Sequence, residues 1–326
     1  MSRLCGLRQL PMVYRLRDQG TPLHVRQAVF GLGAALWPAL AGSLSGPHLG
    51  EAIYVLEGND SDDGFLQVRR RGQRPEIDLV YIAPRLGSSP ALEATWEQLL
   101  SGACLALGAQ GMTKVYAGLP EIGDEVAIFR KAGFALYTRE DLFCLEAGAA
   151  IPPPAAGALP LTERTSLHEW GIQHLYNELV PWLVQQAEGG LWPNGVREAP
   201  FLAESGGEFV ILDDGEVVGV LRLKPGPKAH WLDLLLHPQA HHRAGAAIAH
   251  GAAQLQRSLD RPVYCAARDY QGGLQGPLEA HGFRRVGSQA LLVRQLAAYV
   301  RVERPLPVHR EGQPEAVVST VLRSEP

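Results

Sequence analysis

The sequence predicts an α+β protein made of two tandem copies of one domain. Two repeated features carry that prediction. Phe129-Arg130-Lys131-Ala132-Gly133-Phe134 returns as Leu278-Glu279-Ala280-His281-Gly282-Phe283. Each copy reads as a helix end, a glycine suited to a left-handed C-cap, and an aromatic turned toward a core. Upstream, an apolar strand closes on proline in both halves, at residues 78–84 and 233–238. From that proline to the capping glycine the chain runs 49 residues (84 to 133) and then 44 (238 to 282). Matching order at such a long period marks a repeated structural unit.

Composition agrees. A length of 326 residues fits about two domains, and a hydrophobic fraction of 46% is enough for a core in each. The net charge of −4 offers no cationic field for nucleic acid. Arg69-Arg70-Arg71 with Arg74 reads as a solvated hairpin turn in preference to a phosphate patch. Cys5, Cys104, Cys144 and Cys265 are scattered, with no Cys-x-x-Cys pair, and read as core thiols of a reducing compartment. His237, His241, His242 and His250 cluster without a Glu-x-x-His or cysteine partner, so no metal is expected. Residues 27–50 lack charge and are long enough to cross a bilayer. Pro38, Pro47, several glycines and the absence of clustered basic flanks argue instead for a helical region of the first domain. With no signal-peptide pattern at the start, the expectation is a cytoplasmic protein without a membrane partner.

The elements follow in order. Residues 12–17 read as a first strand, 52–57 as a second, and 65–70 and 76–82 as the next pair. The turn chemistry of Gly58-Asn59-Asp60-Ser61-Asp62-Asp63-Gly64 separates two of them. Residues 91–107 place Leu92, Trp96, Leu99, Leu100 and Ala103 at helical spacing. A strand at 114–117 and a helix at 125–131 complete the first domain, residues 1–147. A linker at 148–158 contains three consecutive prolines, which continue neither a helix nor a ladder. The second domain, 159–300, opens at 159–162 and continues with a helical stretch at 167–187 broken at Pro181. Strands at 208–212 and 217–223 flank Asp213-Asp214-Gly215-Glu216, where Asp-Gly is a strong hairpin signal. Then come a strand at 230–236, a helix at 244–259 and a strand at 262–266. In the tail, 301–326, residues 317–322 could add one strand.

This order resembles the GCN5-related N-acetyltransferase family, in which a strand ends in Val-His-Pro, a loop and helix hold acyl-coenzyme A, and a later helix ends in Gly-Phe. Here Leu236-His237-Pro238 and both Gly-Phe steps carry the resemblance, over roughly residues 12–146 and 159–296. It implies two tandem acyltransferase-like domains, each a mostly antiparallel mixed sheet flanked by helices. It also implies acetyl-CoA or another acyl-CoA as cofactor, and a small-molecule or peptide amine as acceptor.

Three elements of that chemistry map onto the chain. The family's phosphate loop, Arg/Gln-x-x-Gly-x-Gly/Ala, exposes backbone N–H groups at a helix N-terminus, which favours anions. Its register in the second domain places His241, Ala244 and Ala246 at the patterned positions, with Arg243 and Gly245 between them and Leu236 and His237 before them. Residues 85–90 are shorter and lack the glycines, so the second domain is the expected cofactor site. A carboxylate near the strand before the loop serves as base; Asp78 fits that place, whereas Asp233, one position nearer its proline, is expected on the opposite face. Glu76 and Glu188 have no assigned role. The acid is commonly a Tyr just before Gly-Phe, but Phe129 and Leu278 stand there. Tyr270 is the substitute in the second domain. Trp170, Tyr176, Trp182 and Trp192 do not form one stripe and read as packing residues near the acceptor side.

The leading expectation is acyl transfer from acyl-CoA to an amine. The alternative is a non-catalytic protein of the same fold that binds a ligand or partner, consistent with the absent Tyr and glycines. Acyl group and oligomeric state are left open, a homodimer included.

Overall fold

The structure, a computed structural model, describes residues 2–23, 25–26, 50–58, 63–72, 74–87, 89–151, 161–189, 207–258 and 260–296. The helical region expected at 27–49, most of the linker, Trp192 and the strand at 317–322 lie outside the described residues.

The first half runs β1 (Arg3–Leu4), α1 (Leu10–Leu16), β2 (Thr21–Pro22), β3 (Glu51–Leu56), β4 (Gly64–Arg70), β5 (Glu76–Ala83), α2 (Pro90–Ala109), β6 (Lys114–Pro120), α3 (Glu125–Lys131) and β7 (Ala135–Leu145). The second runs β8 (Thr162–Glu163), α4 (Glu169–Leu179), α5 (Trp182–Glu188), β9 (Glu208–Asp213), β10 (Glu216–Lys224), β11 (His230–Leu236), α6 (Ala244–Ser258), β12 (Val263–Arg268), α7 (Gln275–Ala280) and β13 (Arg284–Gln295). Tight 3-10 turns at Pro238–Arg243 and Asp269–Leu274 lead into α6 and α7.

The repeat is legible at the helix ends. Gly133 (φ 83°) and Gly282 (φ 85°) are both left-handed. Phe134 N–H donates to Phe129 O (3.0 Å) and Phe283 N–H to Leu278 O (3.1 Å), the six-to-one bond of a Schellman cap. The two aromatics are then buried, at 3% and 2% exposure. The Asp-Gly hairpin also forms as expected, since Asp214 (φ 47°) and Gly215 (φ 87°) take the two positive angles of a type I′ turn.

Two expectations are corrected. Residues 12–17 fall largely in helix α1 rather than a strand. Pro11 sits in its first turn, where a missing N–H costs nothing, while Val13 and Leu16, three apart, are buried against Ile53, Val55 and Phe65. The basic run is not a solvated turn either. Arg69 pairs with Glu51 at 2.5 Å, and Arg71 pairs with Asp78 at 2.8 Å and lies 3.8 Å above the Tyr116 ring.

The halves share one sheet, in the order β1-β3-β4-β5-β6-β13-β7-β12-β11-β10-β9-β8, with β2 beside β5. The last strand of each half is exchanged. The second half's β13 pairs antiparallel with β6 of the first, from Gln289↔Pro120 to Gln295↔Lys114. Strand β7 in turn lies against β12, from Val263↔Leu145 to Arg268↔Glu140. The linker therefore divides the chain between β7 and β8 without dividing the sheet. Residues 148–326 by themselves would hold β13 with neither of its neighbours.

On one face, α2 packs over β3–β6 through Trp96, Leu99, Leu100 and Leu107, joined by Phe129 and Phe134. The corresponding helix α6 packs over β9–β12 through Ala244, Ile248, Ala252 and Leu255, with Phe143 and Leu145 of β7 completing that core. On the other face, α4 and α5 cover β9–β11 through Ile172, Leu175, Tyr176 and Val184. Pro181 separates those helices as N-cap of α5.

Candidate active site

Among the described residues, each half has one parallel strand pair, and each pair opens into a wedge. Strands β5 and β6 pair only at Glu76↔Lys114, Ile77↔Val115 and Asp78↔Tyr116. Strands β11 and β12 pair only at His230↔Val263, Trp231↔Tyr264 and Leu232↔Cys265. Beyond these points the strands part, and main-chain groups facing the gap need other partners.

The two wedges are filled differently. In the first, the chain's own β2 enters and pairs through Thr21↔Ile82 and Pro22↔Tyr81. Leu23 N–H donates to Val80 O (2.8 Å), and Leu23 O accepts from Gly118 N–H (2.7 Å). Leu23 is fully buried, so main chain seals this wedge. In the second, among the described residues, a single side chain spans the gap. Gln271 Nε2 donates to Leu234 O (2.8 Å) and Gln271 Oε1 accepts from Arg268 N–H (3.1 Å). Val80 and Leu234 each stand four residues before the strand-closing proline.

Beside the second wedge lies a polar cluster built from both halves. Arg268, at the end of β12, donates to both carboxylate oxygens of Glu188 (2.7 and 3.1 Å) and to the Tyr270 hydroxyl (3.3 Å). Tyr137 of the exchanged strand β7 donates to Glu188 Oε1 (3.2 Å), and Glu140 stands 3.6 Å from Arg268 Nε. Burial pushes the Glu188 carboxyl up, but Arg268, with Arg71 and Tyr137, more than reverses this and leaves it below its ordinary value. Burial, with Glu188 beside it, raises the Tyr270 hydroxyl despite the opposing Arg268 charge.

Glu188 is fixed by how α5 ends. The helix's last carbonyls find donors in the first half: Lys114 Nζ on Gln186 and Ala187 (2.8 Å each), Tyr116 on Ala187 (2.6 Å) and Arg74 on Glu188 (3.1 Å). These groups satisfy orphan carbonyls, and the two cations oppose the helix dipole. Gly189 closes the helix at φ 89°, and a Cβ there would come within 2.7 Å of Arg74.

The sequence-selected residues divide between two places. Asp78 belongs to the first half and is held by Arg71, whose charge also acts on Glu188, and Tyr270 stands at the second wedge on Arg268. Asp233 was expected on the face opposite Asp78, but both point to the side that α5 covers. The reason is an extra residue in β5: Gln67 faces Tyr81 and Val68 faces Leu79, leaving Val80 as a bulge. Asp233 is paired with Arg26 (2.5 Å) and Lys224 (3.4 Å) and accepts from Trp231 Nε1 (2.8 Å).

The residues expected to form a cofactor loop lie at the turn into α6. Leu236 and Ala244 are buried in the core beneath α6, and Ala246 is half-buried. His237 caps the turn, its Nδ1 accepting from Gln239 N–H (3.3 Å), with Nε2 3.4 Å from Glu178. Arg243 turns back to Leu212 O (2.9 Å) and Asp213 (2.5 Å). A Cβ on Gly273 would strike the His241 ring, and one on Gly245 would fall 2.7 Å from His281. Among the described residues, no group of His, Cys, Asp and Glu is placed to hold a metal, the four cysteines are buried and free, and no helix is long and apolar enough to cross a membrane.

Sequence reasoning missed Arg268 and Gln271. Arg268 was detectable as the one charge ending the apolar run Val263–Ala267. Gln271, in a polar Gly-rich turn, gave no signal.

The described residues thus build, twice, a mixed α+β sheet with a splayed parallel pair, a proline-ended strand and a turn into a long helix. Comparison with solved structures makes this specific. A GCN5-related N-acetyltransferase from Sphaerobacter thermophilus superposes with a TM-score of 0.51 at 14% identity, covering 90% of this chain and 95% of that one. A tandem GNAT protein from the clavulanic acid biosynthesis pathway covers 90% and 98% at 13% identity with a TM-score of 0.48. A GNAT-family acetyltransferase from Colwellia psychrerythraea covers 91% and 99% at 11% identity, TM-score 0.44. The chain has the fold of the GCN5-related N-acetyltransferases. Neither a family model nor a curated protein matches it.

Proposed function

We propose that this chain transfers an acyl group from an acyl-coenzyme A to an amine, at the second wedge. The observation that carries this reading is how that wedge is held: by one carboxamide beside a buried Arg-Glu-Tyr cluster, whereas the first is sealed by main chain. The fit of the donor is tested by the same carboxamide. Leu234 O and Arg268 N–H are the acceptor and donor that a secondary amide needs, and the arm of coenzyme A carries two such amides. Acyl-coenzyme A, when bound, supplies an activated thioester carbonyl. At the phosphate end, Leu236, His237, His241, Arg243, Ala244, Gly245 and Ala246 form the turn and first residues of α6, whose N-terminal N–H groups favour anions.

The chain's own groups have separable roles. Tyr270, raised above its ordinary value, keeps its proton near neutrality and is the donor for a departing thiolate. Glu188, held ionised by Arg268, orients that guanidinium and with it Tyr270. Its lowered pKa makes it a poor proton store, so the proton of the attacking amine goes to water. Asp78, committed to Arg71, takes no part at this wedge.

The second reading, a non-catalytic ligand- or partner-binding protein of the same fold, is favoured by Arg243 turned onto Asp213 and Gly245 covered by His281. Calorimetry of the whole protein with acetyl-coenzyme A, followed by thiol release in an amine screen, separates the two. Binding with turnover that falls about a hundredfold in Tyr270→Phe supports catalysis. Binding without release for any amine supports the second reading.

A further inference from the structure

We infer that the Gln271 carboxamide is a displaceable plug: in the free protein it occupies the amide seat of the second wedge, and an incoming acyl donor must push it out. This rests on the reading that the second wedge takes acyl-coenzyme A.

Three observations support it. Gln271 makes both bonds that an entering amide would make, donating to Leu234 O and accepting from Arg268 N–H, so plug and ligand amide exclude each other. The first wedge shows the same seat taken by an amide permanently, through Leu23 N–H on Val80 O and Leu23 O on Gly118 N–H. That amide is main chain, anchored by β2 and a buried side chain. Gln271 is held in the gap only by its two side-chain hydrogen bonds, with no main-chain anchor there. Its backbone (φ −109°, ψ 32°) also breaks the regularity of the 3-10 turn, and exposed Gly272 and Gly273 follow it. The side chain can therefore leave without moving a strand.

The consequence is a conformational tax on binding. Only the fraction of molecules with Gln271 swung out is competent, and the apparent affinity is reduced by that fraction. Two hydrogen bonds of ordinary net strength would hold most molecules closed. The first wedge has no such exit, so one acyl-coenzyme A binds per chain.

The test uses the full chain, wild type and Gln271→Ala, with acetyl-coenzyme A as probe. Calorimetry should give one site per chain in both proteins, bound about five- to tenfold more tightly by the variant. Stopped-flow kinetics should place the gain in the association rate. Independently, the Gln271 side-chain NH2 signals, identified by their absence in Gln271→Ala, should exchange slowly with solvent in the free protein and lose that protection at saturation. If wild type binds and the variant binds equally or more weakly, the plug is wrong and the acyl-transfer reading stands. Fast exchange in the free protein overturns the plug whatever the affinities are. If neither protein binds, the acyl-transfer reading fails and the plug fails with it.

Discussion

The two wedges come from the same sequence plan and have opposite fates. In the first, the segment after α1 threads between β5 and β6 and completes the ladder with main-chain bonds around the buried Leu23. In the second, Gln271 reaches across from a turn. Undoing the first means extracting a strand, exposing an apolar side chain and stranding buried backbone groups. Undoing the second is a rotamer change. A repeated fold can thus keep a groove in outline in both copies while filling it by different means in each. What differs is whether the filler belongs to the backbone or to a side chain.

The largest expected effect breaks the first wedge. Leu23→Pro removes the N–H that meets Val80 O and trades a buried side chain for a poorer fit. A loss of about 3–5 kcal/mol is expected, from the cavity and the stranded carbonyl together. Urea unfolding measures it. The same variant should still bind no second acetyl-coenzyme A, because a destabilised β2 does not become a site. By contrast, Gln271→Ala should cost only about 1 kcal/mol, the net worth of the two side-chain hydrogen bonds it removes.

Next is Asp78→Asn, which removes the carboxylate paired with Arg71, leaves the more distant Glu188 as its remaining counter-charge, and should cost about 3 kcal/mol, the low end for breaking a largely buried pair. Acetyl-coenzyme A affinity should be unchanged in the folded fraction, because Asp78 serves the first half and the docking of α5. Weakened binding at full folding would show that the halves are coupled at the site.

The smallest effect is a pH dependence. Glu188 has a folded pKa below its unfolded value of about 4.5. Its contribution is therefore complete above that pH and is lost as pH falls through the lower folded value. Wild type should exceed Glu188→Gln in stability at neutral pH, and the gap should narrow on acidification below about 4.5. Denaturation midpoints followed across pH check this; a gap constant with pH would mean that Glu188 is not charge-paired as described.

Much of the fold was legible because its signals are local. Gly133 and Gly282 had to be left-handed for their helices to end where Phe134 and Phe283 enter the core. Asp214-Gly215 had to turn a hairpin, and Pro181 had to interrupt a helix. Residues 12–17 misled because Met12, Tyr14 and Leu16 alternate with polar neighbours as a strand would, apart from Val13. Only the burial of Val13 with Leu16 restores the helical face. The basic run misled because charge says nothing about burial until a partner such as Asp78 is known.

Of the candidate site, the residues expected to form a cofactor loop occupy the strand-to-helix turn that Pro238 and the periodicity after it made legible. Tyr270 and Asp78 were each selected without the arginine that holds it, Arg268 for the one and Arg71 for the other. The partners come from far along the chain: Tyr137 and Glu140 arrive on an exchanged strand, and Glu188 on a helix docked by Arg74, Lys114 and Tyr116. No local pattern encodes such meetings.

The chain's own order of residues thus determined the repeat, the helix caps, the hairpin and the proline-ended strands, all set by φ/ψ preference and side-chain periodicity over a few neighbours. Strand exchange, the sealing of one wedge by residues 21–23 and the single carboxamide in the other were decided in tertiary structure. Each depends on which unpaired backbone groups happen to face one another once the sheet has closed.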